Sequence, residues 1–321
     1  MKKYSLKNLL TIIKNPQAIL GEVDAVGLKA NRWYHKRFSE NDGIHVAAEE
    51  WDNLIILDGC RYDLFKAAHQ LDGTLSAVKS RGSTSVEFLD ENFKGGTHHD
   101  TVYITANPYA HKLDGDEFHR ICDLMSSDWN ETEETVMPDR VAERMIEAAE
   151  THPNKRLIAH FMQPHYPFIG ELGKEIGHRG YAPKQSENGE SPDDNGGYRA
   201  DYTVWGKLQY NLDGLTKELV WEAYRENLEI VLKEVKQLVE KLDGKTVITA
   251  DHGNLVGERL SPIPVRGYGH PGYLRQDELV LVPWMELEYS SRRDVVAEPP
   301  VEDTEQQEVD REKLEALGYI E

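Results

Sequence analysis

Apolar residues at Leu6, Leu9, Leu10 and Ile13 fall at i, i+3, i+4 and i+7, which predicts an amphipathic helix over 4–14. Pro16, after Asn15, predicts the start of a second helix. The pattern then changes period. NLIILD (53–58) is an apolar run ended by a carboxylate and reads as a buried strand, and RYDLFKAAHQL (61–71) returns to helical spacing. SRGSTSVEFLDENF (80–93) reads as a glycine turn entering a helix, and TVYITANP (101–108) as a strand. DRVAERMIEAAETH (139–152) reads as an amphipathic helix, RLIAHFMQ (156–163) as a strand, and 215–242 as one long helix or two joined ones. KTVITADHG (245–253) and ELVLVPWM (278–285) are further strands, and REKLEALGYI (311–320) a closing helix. Residues 170–213, rich in Gly, Asp, Asn, Ser and Tyr, read as a surface insertion, and 286–310, acidic and punctuated by proline, as a loose extension. Helix–strand alternation of this kind predicts an α/β domain with a mostly parallel sheet.

Composition narrows the picture. A chain of 321 residues can bury a large core without disulfides, and Cys60 and Cys122 offer no metal-binding spacing. No apolar run reaches the ~18–20 residues of a membrane span, and Lys14, Asn15 and Pro16 interrupt what would be a signal peptide. A soluble, cytoplasmic protein is the resulting expectation. The net charge of −20 argues against nucleic acid as a partner. That charge is uneven: residues 1–38 carry +6 and the remainder −26, so a basic helical arm (1–45) precedes an acidic body (46–321). The arm either pairs with that body or makes peripheral contact with an anionic membrane.

The candidate chemistry lies where strands end. Asp58 closes one strand and Asp251 another, with His252 directly after it, and Ser83, Thr84 and Ser85 sit in a strand-to-helix turn. The ordinary reading of such aspartates is helix capping. Two carboxylates, an imidazole and a hydroxyl also make a four-ligand site for one divalent ion, suited to Zn or Mn, with Ca or Mg as alternatives. An ion there lowers the pKa of the hydroxyl it holds and makes it a nucleophile near neutral pH. His160, on an alternating strand, reads as core or as support for ligands, and His98, His99, His111 and His178 as exposed loop residues.

Five stretches, in order, resemble the sulfatase-like branch of the alkaline phosphatase superfamily: NLIILDGCRYD, SRGSTSVEF, HFMQPHYPF (160–168), ITADHGNLVGE and GYGHPGYLRQDELVLVPWM (267–285). The resemblance runs from about residue 50 to the end. It implies an alkaline-phosphatase-like three-layer sandwich, with a mixed, mostly parallel sheet flanked by helices. It also implies Asp58, Thr84, Asp251 and His252 as metal ligands, Thr84 as nucleophile, His165 and His270 at the transferred group or leaving oxygen, and Arg61 nearby. Ser83 and Ser85 remain alternatives to Thr84, and Asn107 is expected to face the cleft.

Departures from the family pattern shape the expected reaction. Gly59 replaces the second aspartate of the sulfatase motif, neither cysteine stands in a formylglycine context, and Gln163 replaces an acid that a second ion would need. These imply one metal ion and an enzyme acting on a phosphate ester, diesters favoured, through a covalent threonine intermediate. The alternatives are a sulfatase without formylglycine and, from another class, a degenerate non-catalytic binding module. By family analogy the substrate is an envelope lipid or a glycan.

Overall fold

The computed structural model describes residues 16–176, 204–211 and 214–301. The helices expected over 4–14 and 311–320 and most of the insertion expected over 170–213 lie outside the described residues. The strands are β1 (Asn53–Leu57), β2 (Thr74–Lys79), β3 (His98–Thr105), β4 (Phe118–Asp123), β5 (Trp129–Asn130), β6 (Thr135–Val136), β7 (Arg156–Phe161), β8 (Thr246–Thr249), β9 (Leu255–Arg259), β10 (Arg266–Gly269) and β11 (Leu281–Glu286). The α-helices are α1 (Pro16–Phe38), α2 (Tyr62–Ala68), α3 (Ser85–Asn92), α4 (Leu124–Ser127), α5 (Pro138–Thr151), α6 (Glu171–Glu175), α7 (Val204–Tyr210), α8 (Lys217–Val239) and α9 (Asp277–Val280).

Seven strands form one sheet in the order β2-β11-β8-β1-β7-β3-β4. The five from β8 to β4 are mutually parallel, while β11 runs antiparallel to both β8 and β2. The fold is therefore the mixed, mostly parallel α/β sheet expected. Central β1 is buried along its whole length, as a strand covered on both faces must be. Its side chains alternate between two cores. Ile55 and Leu57 join Leu157, Ile248, Met145, Leu228 and Val231 under α5 and α8. Leu54 and Ile56 join Phe88, Phe93, Tyr103 and Val247 under α3. The long helix α8 is unbroken; Val220, Ala223, Leu228, Val231 and Val235 keep its buried stripe, and the Thr216 side chain caps its N-terminus at Leu219 N.

Several elements were not visible as patterns. Both sheet edges, β2 and β4, were missed because an edge strand need not be apolar: β2 is largely exposed. The β9–β10 hairpin was hidden by Pro262 and Pro264 in its turn. The strand expected over 278–285 is split into α9 and β11, and the helix expected over 61–71 ends at Ala68 with His69 as its C-cap. His98 and His99 open β3 instead of lying in a loop. Residues 287–301 have no regular structure but are held to the body, with Val296 N, Glu298 N and Val301 N donating to Asn154 O, His99 O and His119 O.

Candidate active site

In an open parallel sheet, ligands bind beyond the carboxyl ends of the strands. Here those ends are chemically loaded. β1 runs into Asp58, β8 into Asp251 and His252, β3 into Asn107, and β7 into a loop bearing His165. The turn opening α3 brings Ser85 to the same place. Asp58, Ser85, Asp251 and His252 are all buried.

Their donor atoms face one another. Ser85 Oγ is 3.3 Å from Asp58 Oδ2 and 3.4 Å from His252 Nε2. His252 Nε2 is 3.4 Å from Asp251 Oδ2 and 3.7 Å from Asp58 Oδ1. A tetrahedral ion bound at about 2.0–2.1 Å spaces its ligand atoms about 3.3–3.4 Å apart, close to these separations, and Asp58, His160 and Asp251 also place their ligand atoms within 4.8 Å of one another as a group that could hold a metal ion. The surrounding bonds prepare them for it. Asp251 Oδ1 accepts from Gly59 N (2.9 Å) and His252 N (2.8 Å), while Oδ2 is buried with no hydrogen-bond partner. His252 Nδ1 donates to Gly253 O at 2.8 Å, which leaves the Nε2 lone pair facing the carboxylates.

The electrostatics agree. Burial, and then the charge of Asp251, push Asp58 well above the ordinary carboxylate range, and burial raises Asp251 as well. Burial pushes His252 and His160 down to about 4. Two buried carboxylates beside neutral imidazoles form a charge arrangement that a divalent cation balances.

The hydroxyl is the principal correction to the sequence reading. Thr84 does not face the cluster. It is the N-cap of α3, with its Oγ1 accepting from Glu87 N at 3.2 Å. Ser83 Oγ is engaged by Glu87 and by the 271–274 loop, where it donates to Pro271 O and accepts from Leu274 N, each at 3.3 Å. Ser85, the first residue of the helix, carries the hydroxyl that meets the cluster, at Asp58 Oδ2 and His252 Nε2. A signal for this was present: Thr84-Ser85-Val86-Glu87 is a T-x-x-E capping box, which assigns Thr84 to the helix end.

Arg61 is likewise turned away. Its guanidinium pairs with Asp63 (2.6 Å) and Glu258 (2.8 Å) and donates to Asn254 O, so it is not a free cation at the cluster. His165 and His270 meet each other, Nε2 to Nε2, at 2.8 Å, and the His270 ring lies 4.6 Å from that of His252. His165 Nδ1 donates to Tyr166 O at 2.6 Å; with His165 neutral, its Nε2 accepts the proton of His270 Nε2. Asn227 anchors that loop: its Nδ2 donates to Pro164 O, His165 O and Pro167 O, and its Oδ1 accepts from Ile169 N. Gln163 is buried and donates to Val136 O.

Two residues carry more than the sequence suggested. His160 places Nε2 3.8 Å from both Asp58 Oδ2 and Asp251 Oδ2, at the back of the cluster, with Tyr103 OH 2.8 Å from its Nδ1. Asn107 donates from Nδ2 to Asp58 Oδ2 at 2.6 Å. Gly59 explains the missing second aspartate. Its φ is +64°, and a Cβ there would stand 2.7 Å from Asn254 Nδ2. Because Asn107 orients a carboxylate that could hold a metal ion, Asn107→Ala is expected to weaken any divalent-ion binding here about 10–100-fold. Competition against a chromogenic chelator measures this, and an unchanged affinity would show that Asp58 needs no such support.

No family model matches the sequence, and no curated protein matches it. Solved structures do. The C-terminal periplasmic domain of EcEptC from Escherichia coli, in complex with Zn, is 13% identical with a TM-score of 0.41, over 76% of each chain. The soluble domain of lipooligosaccharide phosphoethanolamine transferase A from Neisseria meningitidis is 10% identical with a TM-score of 0.43, over 74% of this chain and 76% of its own. A 2-O GAG sulfatase is 13% identical with a TM-score of 0.44, over 78% of this chain and 66% of its own. The chain is thus similar in fold to transferases and sulfatases, at distances that carry no argument about reaction or substrate. The expected cytoplasmic location is withdrawn, since the E. coli structure is a periplasmic domain. Among the described residues no helix is long and apolar enough to cross a membrane.

Proposed function

We propose that this chain is a metal-dependent enzyme that cleaves or transfers a phosphate ester, with Ser85 as the nucleophile. The observation that carries this reading is the position of Ser85 Oγ, 3.3 Å from Asp58 Oδ2 and 3.4 Å from His252 Nε2, beside the unpartnered Asp251 Oδ2. Asp58, Ser85, Asp251 and His252 would hold one divalent ion, Zn or Mn by donor type. When bound, that ion would lower the pKa of the Ser85 hydroxyl and offset charge on the phosphoryl oxygens.

The chain's own groups do the rest. Asp58 Oδ2 is the nearest carboxylate acceptor for the Ser85 proton. The Oγ–P bond forms as the bond to the leaving oxygen breaks; that oxygen departs as an anion beside the neutral His165–His270 pair, which lies at the leaving side, and takes its proton from solvent. Water or a second hydroxyl then takes the phosphoryl group from Ser85. The first residue of α3 is also a favourable place for the anion, since helix N-terminal amides point there.

Charge favours a diester. Asp58 and Asp251 balance a divalent ion, and Arg61 is committed to Asp63 and Glu258. Little positive charge is left for a phosphate dianion, and unbalanced charge in a desolvated cleft is costly. The same balance serves a sulfate monoester, which is the second reading. On a panel of bis-aryl phosphate, aryl phosphate and aryl sulfate, the diester is expected to give the highest kcat/KM. Preference for the monoester would require a further cation, preference for the sulfate would promote the second reading, and no turnover by metal-loaded protein would leave a binding module.

A further inference from the structure

The N-terminal helix α1 has three distinct sides. At 3.6 residues per turn, one side packs on the body. Gly27 lies so close to Val265 that a Cβ there would stand 2.4 Å from its Cγ1, and buried Asn31 donates to Ile263 O and accepts from Ile263 N. A second side carries Val23, Val26, Ala30 and Trp33, with Tyr34 beside it, and points into solvent: Val26 is 60% and Trp33 64% exposed. Trp33 and Tyr34 gather with Phe38, itself exposed, at the helix end, with ring centroids 5.7 and 5.4 Å from that of Phe38. The third side carries Lys29, Arg32 and Lys36, while Arg37, four residues after Trp33, borders the apolar side; residues 29–37 hold no acid.

We infer that this face of α1 docks the protein onto an anionic lipid surface. An apolar side with tryptophan and tyrosine, flanked by lysine and arginine, is what a helix lying in a membrane interface presents. Charge complementarity selects the surface. The protein as a whole carries −20 and is repelled by anionic lipid, whereas this segment is uniformly basic. The face also adjoins the candidate active site. Arg32 Nε donates to Gly272 O at 2.8 Å, and Lys36 Nζ stands 4.1 Å from the centre of the Tyr273 ring, both on the loop that begins at His270. Docking through α1 would bring that loop to the lipid headgroups.

The test is flotation of the full-length protein with phosphatidylcholine vesicles, with and without phosphatidylglycerol, at low and high salt. Binding is expected to the anionic vesicles, to fall as salt rises, and to weaken at least about 10-fold in Val26→Ser/Trp33→Ser, because each side chain would give up apolar burial. Lys29→Glu/Arg37→Glu should remove the preference for anionic lipid. All four side chains are exposed, so circular dichroism should show every variant folded. No flotation of the wild type, or equal flotation of the Val26/Trp33 variant, would overturn the inference. So would a dimer in sedimentation equilibrium that Trp33→Ser dissolves, since a second copy would then cover this face. The readout is independent of turnover, so docking and the proposed reaction fail or stand separately.

Discussion

Ser85→Ala is expected to lower kcat on an aryl phosphodiester by at least about 10³-fold, the scale on which removing a nucleophile acts. Thr84→Ala should retain most turnover and lose about 1 kcal/mol of stability, as N-cap removals do. The two neighbours differ because the helix begins between their roles. Thr84 Oγ1 is spent on Glu87 N, whereas Ser85 Oγ faces Asp58 and His252. Ser85→Ala leaves Thr84 in place as the cap, so its unfolding midpoint should stay near that of the wild type. Steady-state kinetics and thermal unfolding of the two variants measure the contrast. If Thr84→Ala were inactive and Ser85→Ala active, the nucleophile would be Thr84.

Asp251→Asn should lose the bound ion and with it the activity, while keeping the fold. An asparagine Oδ1 can still accept from Gly59 N and His252 N, so the β8 end and the β1 turn retain their bonds. What changes is the unpartnered Oδ2, which becomes an NH₂ with two protons directed at the other donor atoms. Loss of a supporting partner around a metal ligand costs 10–100-fold in affinity, and replacing the ligand itself should exceed about 100-fold. Elemental analysis after dialysis is expected to show about one equivalent of divalent ion in the wild type and almost none in the variant. One equivalent retained by Asp251→Asn, with normal turnover, would remove Asp251 from the site.

Much of the fold was legible because its centre obeys strong patterns. β1, β7 and β8 are short apolar runs, and α5 and α8 keep a helical stripe, so the parallel core followed from periodicity. The edges did not, since β2 and β4 are held by pairing to one neighbour more than by their own side chains. The strand ends were legible in the sequence: Asp58, Asp251 and His252 each follow an apolar run, and the structure brings the three together. What sequence did not resolve was direction. Three adjacent hydroxyls occupy 83–85, and which one faces the cluster depends on where α3 starts, a single-residue matter that the capping box would have decided. Arg61 was misplaced for a related reason: its partners Asp63 and Glu258 are set by a local turn and by a hairpin nearly 200 residues away. His160 read from sequence as core or as support for ligands, and its register beside Ile56 and Thr105 brings it behind both carboxylates.

Mass spectrometry of the full-length protein, quenched during turnover of a bis-aryl phosphate, tests the central claim most directly. The predicted result is one aryl-phosphoryl group on Ser85, present with the divalent ion and absent after chelation. An adduct on Thr84 or elsewhere, or turnover that continues after chelation with no adduct on Ser85, would contradict it.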